Sequence, residues 1–156
     1  MLLKINSILL GLFGPQEIFV IIAILGVFLL GIIPFIFYLV TLQNTLYAVS
    51  TENRKMSPGS VWLLLIPVFN LVWHFIVVDR ISESLRFEFA ERNINSTESS
   101  PGRSIGLAFC ILSCCAVIPI VNTLAAPAAL VCWIIFWVKM HECKMKLQQP
   151  QTAANV

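Results

Sequence analysis

Apolar residues fall along this chain in four long blocks separated by polar stretches, and the blocks set the plan of elements. From Ile18 to Val40 there is no charge and almost no polarity. About 20 such residues cross a hydrocarbon core, so a transmembrane helix is predicted over about 18–41. Gly26 and Gly31 thin its surface without G-x-x-x-G spacing, and Pro34 predicts a kink in its second half. The second block, about 60–78, is introduced by Ser57-Pro58-Gly59, an N-cap residue followed by proline at the first helical position. Nothing breaks the pattern after Val78. Ile81, Leu85 and Phe89 share one face and Glu88 precedes Arg92 by four, so the helix is expected to extend into the cytoplasm.

The third block, about 104–121, follows the polar linker Asn93–Gly102. The fourth, about 124–139, comes after a short turn at Asn122–Thr123, and its Ala-rich start permits close packing on the third. Residues 1–14 place Leu2, Ile5, Leu9 and Leu12 at helical spacing and predict an N-terminal interfacial helix. A cleaved signal peptide is the rival reading, but a small-x-small cleavage site is missing and a much longer apolar span follows directly. The expectation is an all-α integral membrane domain over 1–147 with four transmembrane helices, and a disordered tail over 148–156.

Composition agrees with lipid as part of the solvent. The 156 residues are 58% hydrophobic and 12% charged, against roughly 45–50% and about 25% in soluble domains. The net charge of +2, without interleaved aromatic and basic residues, excludes a nucleic-acid partner. The five cysteines, Cys110, Cys114, Cys115, Cys132 and Cys143, have neither disulfide-framework nor zinc-finger spacing. In a four-span plan, Lys4, Arg80, Arg86, Arg92, Arg103, Lys139, Lys144 and Lys146 lie on one side. Arg54 and Lys55 lie on the other. Positive residues favour the cytoplasm, so both termini are expected inside and the 43–56 loop outside. Trp73, Trp133 and Trp137 then form an aromatic belt on the cytoplasmic side, where the sequon Asn95-Ser96-Thr97 also falls. Ser-Pro-Gly recurs at 57–59 and 100–102, and Ile-Pro-x-x-Asn at 66–70 and 118–122. Their spacings differ, so one alignment does not hold both; Leu71-Val72-Trp73 beside Leu130-Val131-Cys132-Trp133 is an alternative pairing.

Candidate chemistry is sparse. Asn70 and His74 are four apart on one helical face, and Pro67 one turn earlier frees the carbonyl of Leu63. Every such group in lipid needs an internal partner. Pro67, Asn70 and His74 therefore form either a polar seam for an ion, proton or substrate, or interhelical glue, and glue is favoured because no buried acid accompanies them. His74 and His141, with Cys143 near the latter, allow a haem or metal site only weakly, and no metal or cofactor is expected. No nucleophile elbow, phosphate loop or HExxH motif occurs, so no enzyme is expected. The Ile81, Leu85, Phe89 face is a candidate interaction surface, for the protein's own helices or for a partner.

Over residues 54–90, Ser57-Pro58-Gly59, Trp62, Ile66-Pro67, Asn70-Leu71 and Ile81–Leu85 resemble a group of small bacterial multi-spanning proteins of unknown function. The resemblance implies a four-helix plan in the bacterial plasma (inner) membrane and carries no activity or site residue. The combined expectation is a non-enzymatic accessory or scaffold subunit whose partners are the lipid bilayer and a membrane or cytosolic protein. A small oligomeric transporter or channel around Asn70 and His74 is the alternative, and a membrane redox or haem protein comes third.

Overall fold

The computed structural model describes residues 14–96 and 98–149. The expected interfacial helix at 1–14, Thr97 of the sequon and residues 150–156 of the tail therefore lie outside the described residues, Gly14 excepted. The described residues are all-α, with no strand among them. They form α1 (Pro15–Ala48), a 3₁₀ helix (Pro58–Leu65), α2 (Pro67–Glu91), α3 (Arg103–Cys115) and α4 (Pro119–Gln148). Two helices are long and apolar enough to cross a membrane, Gln16–Ala48 and Pro119–Gln148.

The chain divides into two compact units at Phe37/Tyr38. In the first, α1 opens where Glu17 reaches back to accept from the Gly14 N–H at 3.2 Å, one arm of a capping box. Its apolar side chains from Phe19 to Leu25 are mostly exposed.

The second unit, from Tyr38 onward, holds the core. Tyr38 pairs with His74, and Ser50 with Glu88. Tyr38 also packs on Trp133, while Thr41 and Thr45 bond to Trp137 and Met140. The last turns of α1 thus run in the same direction as α2 and α4. Residues 50–65 run the other way along α2. Ser50 bonds Glu88, the Lys55 N–H donates to Ser84 Oγ at 2.9 Å, and Trp73 Nε1 donates to the Ser60 carbonyl at 2.9 Å. This is a helical hairpin that turns at Ile66–Pro67.

The expected continuous span over 60–78 is therefore corrected. Proline lacks an N–H, and it pushes the preceding residue out of the helical region. Ile66 accordingly sits at φ −82°, ψ 111°, ending the 3₁₀ helix and capping α2. The Leu63 carbonyl is not freed, because it accepts from the Ile66 N–H at 3.2 Å. The extension beyond Val78 is present, since α2 continues to Glu91.

The same device occurs at the second motif pair. Ile118 sits at φ −84°, ψ 117°, and its N–H bonds the Cys115 carbonyl at 3.1 Å. Pro119 opens α4, and the Asn122 N–H bonds the Ile118 carbonyl at 2.9 Å, as Asn70 does to Ile66 at 2.8 Å. The expected turn at Asn122–Thr123 thus lies inside α4, and the third helix ends at Cys115 rather than near 121. The Ile-Pro-x-x-Asn motif thus repeats its local geometry, whereas Ser-Pro-Gly does not: Ser57 caps the 3₁₀ helix with Pro58 at its first position, but Gly102 is the residue that caps α3. The first helix of each pair also differs in length, 8 residues in one and 13 in the other.

Two glycines seat the second hairpin. Gly102 takes φ 77° at the N-cap of α3, beside Met140 and Phe136. A Cβ on Gly106 would stand 2.6 Å from Val78 Cγ1 and 2.9 Å from the Phe136 ring, so α2, α3 and α4 meet closely there.

Candidate functional site

Pro67 fixes where α2 begins, and so fixes which way its first two turns point. Asn70 and His74, one turn apart, face the same side, and the structure brings them together with a residue the sequence reading missed. Tyr38 Oη lies 2.7 Å from His74 Nε2, and Asn70 Oδ1 lies 3.1 Å from His74 Nδ1. An amide oxygen only accepts, so Nδ1 donates to Asn70 and Nε2 accepts from the Tyr38 hydroxyl; one neutral tautomer satisfies both contacts. Both ring nitrogens are used.

Aromatic rings enclose this relay. Tyr38 meets Trp133, Phe136 and Trp137 edge-on at 5.4–6.3 Å, and His74 meets Phe109 at 4.9 Å. His74 is only 5% exposed. Such edge-to-face pairs are a favoured aromatic geometry. His141 is exposed on α4 and Cys143 is buried and free. His74 spends both ring nitrogens on Tyr38 and Asn70, so neither stands free as a haem or metal ligand. A signal for Tyr38 was present in the sequence. It is the one polar side chain in the Ile18–Val40 block, and a hydroxyl in such a block needs a partner.

A second polar cluster lies at the other end of α2. Glu88 is 1% exposed and accepts from the Ser50 N–H at 3.0 Å, Ser50 Oγ at 2.6 Å, Asn53 Nδ2 at 2.8 Å and Arg92 Nε at 2.7 Å. Burial alone would raise its pKa. The donors from Ser50, Asn53 and Arg92 outweigh burial and hold the carboxyl below its ordinary value. Arg92 also donates to the Leu147 carbonyl at 2.9 Å and the Ala48 carbonyl at 3.4 Å. One guanidinium thus meets the last turns of α1, α2 and α4, where the partial negative charges of three helix ends converge. The sequence reading saw only the Glu88–Arg92 spacing in this cluster.

The cluster overturns one expectation directly. The 43–56 loop is expected on the side opposite residues 79–103, yet Ser50 and Asn53 bond Glu88, and Asn53 also reaches Glu91. Of the two readings of the Ile81, Leu85, Phe89 face, packing against the protein's own helices is the one the structure takes. Ile81, Leu85 and Phe89 are all buried in the core, so they offer no free docking surface.

Around this end the pairs are more exposed. Arg103 meets Asp79 at 2.6 Å, and Lys139 pairs with Glu98, which also accepts from the Gly102 N–H. Lys139 and Gly102 together hold the Glu98 carboxyl below its ordinary value. A groove of about 420 Å³ lies here, lined by Arg86, Phe89, Asn93, Asn95, Ser96 and Glu98 among others. Among the described residues no cluster of three or more His, Cys, Asp or Glu side chains is arranged to hold a metal ion. Comparison with known proteins gives no match to a family model, to a curated protein or to a solved structure.

Proposed function

We propose that this chain is an integral protein of a bacterial plasma membrane that serves as a non-enzymatic accessory or scaffold subunit. The observation that carries the scaffold reading is the closed relay. The Tyr38 hydroxyl, both ring nitrogens of His74 and the Asn70 amide oxygen are spent on one another beside a wall of aromatic rings. A conduction or transfer site built on His74 would keep one of its ring nitrogens open to cargo, and neither is open here.

Two observations support the membrane setting. One is the pair of helices with the length and apolarity to cross. The other is exposed apolar surface within the second unit, where Ile120, Val68 and Leu124 are 91%, 86% and 80% exposed. Contiguous exposed apolar patches beyond a few hundred Å² are rare on soluble monomers. The bacterial assignment draws on the resemblance over residues 54–90.

His74→Leu tests the scaffold role. The expected outcome is a protein that accumulates in the membrane and still co-purifies with its partner at the wild-type ratio after mild-detergent extraction. A folded, stable His74→Leu protein that keeps its partner but has lost a measured ion or proton flux overturns the scaffold reading in favour of transport.

A further inference from the structure

We infer that residues 57–91 form a re-entrant hairpin whose tip at Ile66–Pro67 sits among the acyl chains of one leaflet, so that the loops at 49–56 and 92–102 emerge on the same, cytoplasmic, face. The inference deepens the membrane reading above and rests on it.

The register of the hairpin is the first argument. Ser50 lies at Glu88, Lys55 at Ser84 and Ser60 at Trp73, with the chain reversing between Leu65 and Pro67. A segment paired in this order returns to the level from which it started. Length is the second. The 8-residue 3₁₀ helix rises about 16 Å at roughly 2.0 Å per residue. The first part of α2, Pro67 to Val78, rises about 18 Å at roughly 1.5 Å per residue. The apolar part of neither arm spans a hydrocarbon core of about 30 Å, since α2 turns charged from Asp79 onward. The tip needs an apolar host, because Leu65, Ile66, Val68 and Phe69 are all exposed there.

Charge is the third argument. With the hairpin closed, Arg54 and Lys55 leave the outer side and join Arg86, Arg92 and Arg103. Of the ten lysines and arginines, every one except Lys4 then follows α1 and belongs to one polar end. The positive-inside rule assigns that end to the cytoplasm. The second hairpin reverses in the same way, although its second arm, α4, is long and apolar enough to cross. Gly102 sits at Met140, Glu98 at Lys139, and the chain turns at Ile118–Pro119 between the exposed Val117 and Ile120.

The test uses the native chain. Sealed right-side-out and inside-out vesicles are treated with a membrane-impermeant amine reagent, and the modified peptides are identified by mass. Lys55 and Lys146, both exposed, are expected to react together in inside-out vesicles and to be spared in right-side-out ones. Thr51→Cys and Ser96→Cys, read by an impermeant maleimide in the same vesicles, are expected to repeat that pattern. Modification of Lys55 only from outside and Lys146 only from inside overturns the hairpin and restores a crossing between them. Modification of both from outside overturns the cytoplasmic assignment. An alkaline carbonate wash separates these results from the premise. Release of the protein by the wash overturns the membrane reading itself, whereas retention with Lys55 and Lys146 on opposite faces overturns the hairpin alone.

Discussion

Glu88 is the most exacting point at which to perturb the second unit. Its Oε2 accepts from the Ser50 N–H, Ser50 Oγ and Asn53 Nδ2, and its Oε1 accepts from Arg92 Nε. Glu88→Gln keeps the volume but replaces one oxygen with an NH₂ group. If the amide oxygen faces Ser50 and Asn53, the NH₂ confronts the Arg92 guanidinium; if it turns, the NH₂ confronts three donors. In the better orientation at least one charge-assisted bond is lost, worth about 1.5–3 kcal/mol. Arg92 is partly exposed and recovers some of this in water, so about 2 kcal/mol is expected. Glu88→Ala strands all the donors at once and should cost about 3–5 kcal/mol, the range for breaking a buried pair. The pH dependence has a definite sign. The folded-state pKa is below the ordinary 4.5, so the stabilisation is complete above that value and is lost as pH falls through the folded pKa. Denaturant unfolding in detergent at pH 7 and across acid pH measures both effects. Glu88→Gln with wild-type stability at pH 7, or equal acid sensitivity of the variant and the parent, would refute the reasoning.

Two further perturbations address other parts of the second unit. Gly106→Ala gains up to about 1 kcal/mol of helix propensity but forces a Cβ to within 2.6 Å of Val78, an overpacking cost of about 1–3 kcal/mol. A net loss in melting temperature is expected, partly relieved in the Gly106→Ala, Val78→Ala double variant. Tyr38→Phe removes the 2.7 Å bond to His74 and should destabilise the protein by only about 0.6 kcal/mol, the average for hydrogen bonds between membrane helices. Loss of the folded state in a detergent thermal-shift assay of Tyr38→Phe would show that the relay contributes far more than packing.

The apolar blocks announced the helices but not which of them reverse. A run such as Val61–Val78 reads the same whether it crosses a bilayer or folds back halfway, because periodicity reports a buried or lipid-facing surface and not a direction. Pro67 was the available signal. In a crossing helix it is a kink; after an extended Ile66 it is the first residue of a new helix, and the two differ only in where the neighbouring donors go. Asn70 and His74 were legible because helical spacing is local. Ser50 and Asn53 were not, since their partner Glu88 is 38 and 35 residues away and no local pattern links a polar loop to one acid among several. The Ile81, Leu85, Phe89 face was seen correctly as apolar, but an apolar face does not say whether its cover comes from the same chain.

The prolines at the two hairpin tips have a consequence for how a helix begins away from water. The first turn of any helix holds N–H groups with no partner inside it, and in hydrocarbon each such orphan costs several kcal/mol. At Pro67 and Pro119 the first of these donors does not exist. The N–H just before each is consumed by the preceding helix, Ile66 by Leu63 and Ile118 by Cys115. Two adjacent positions at each tip therefore leave no unpaired donor, so the chain reverses there without a hydrogen bond from its surroundings. Replacing either proline with alanine would add a donor at the tip even if every side-chain contact survived.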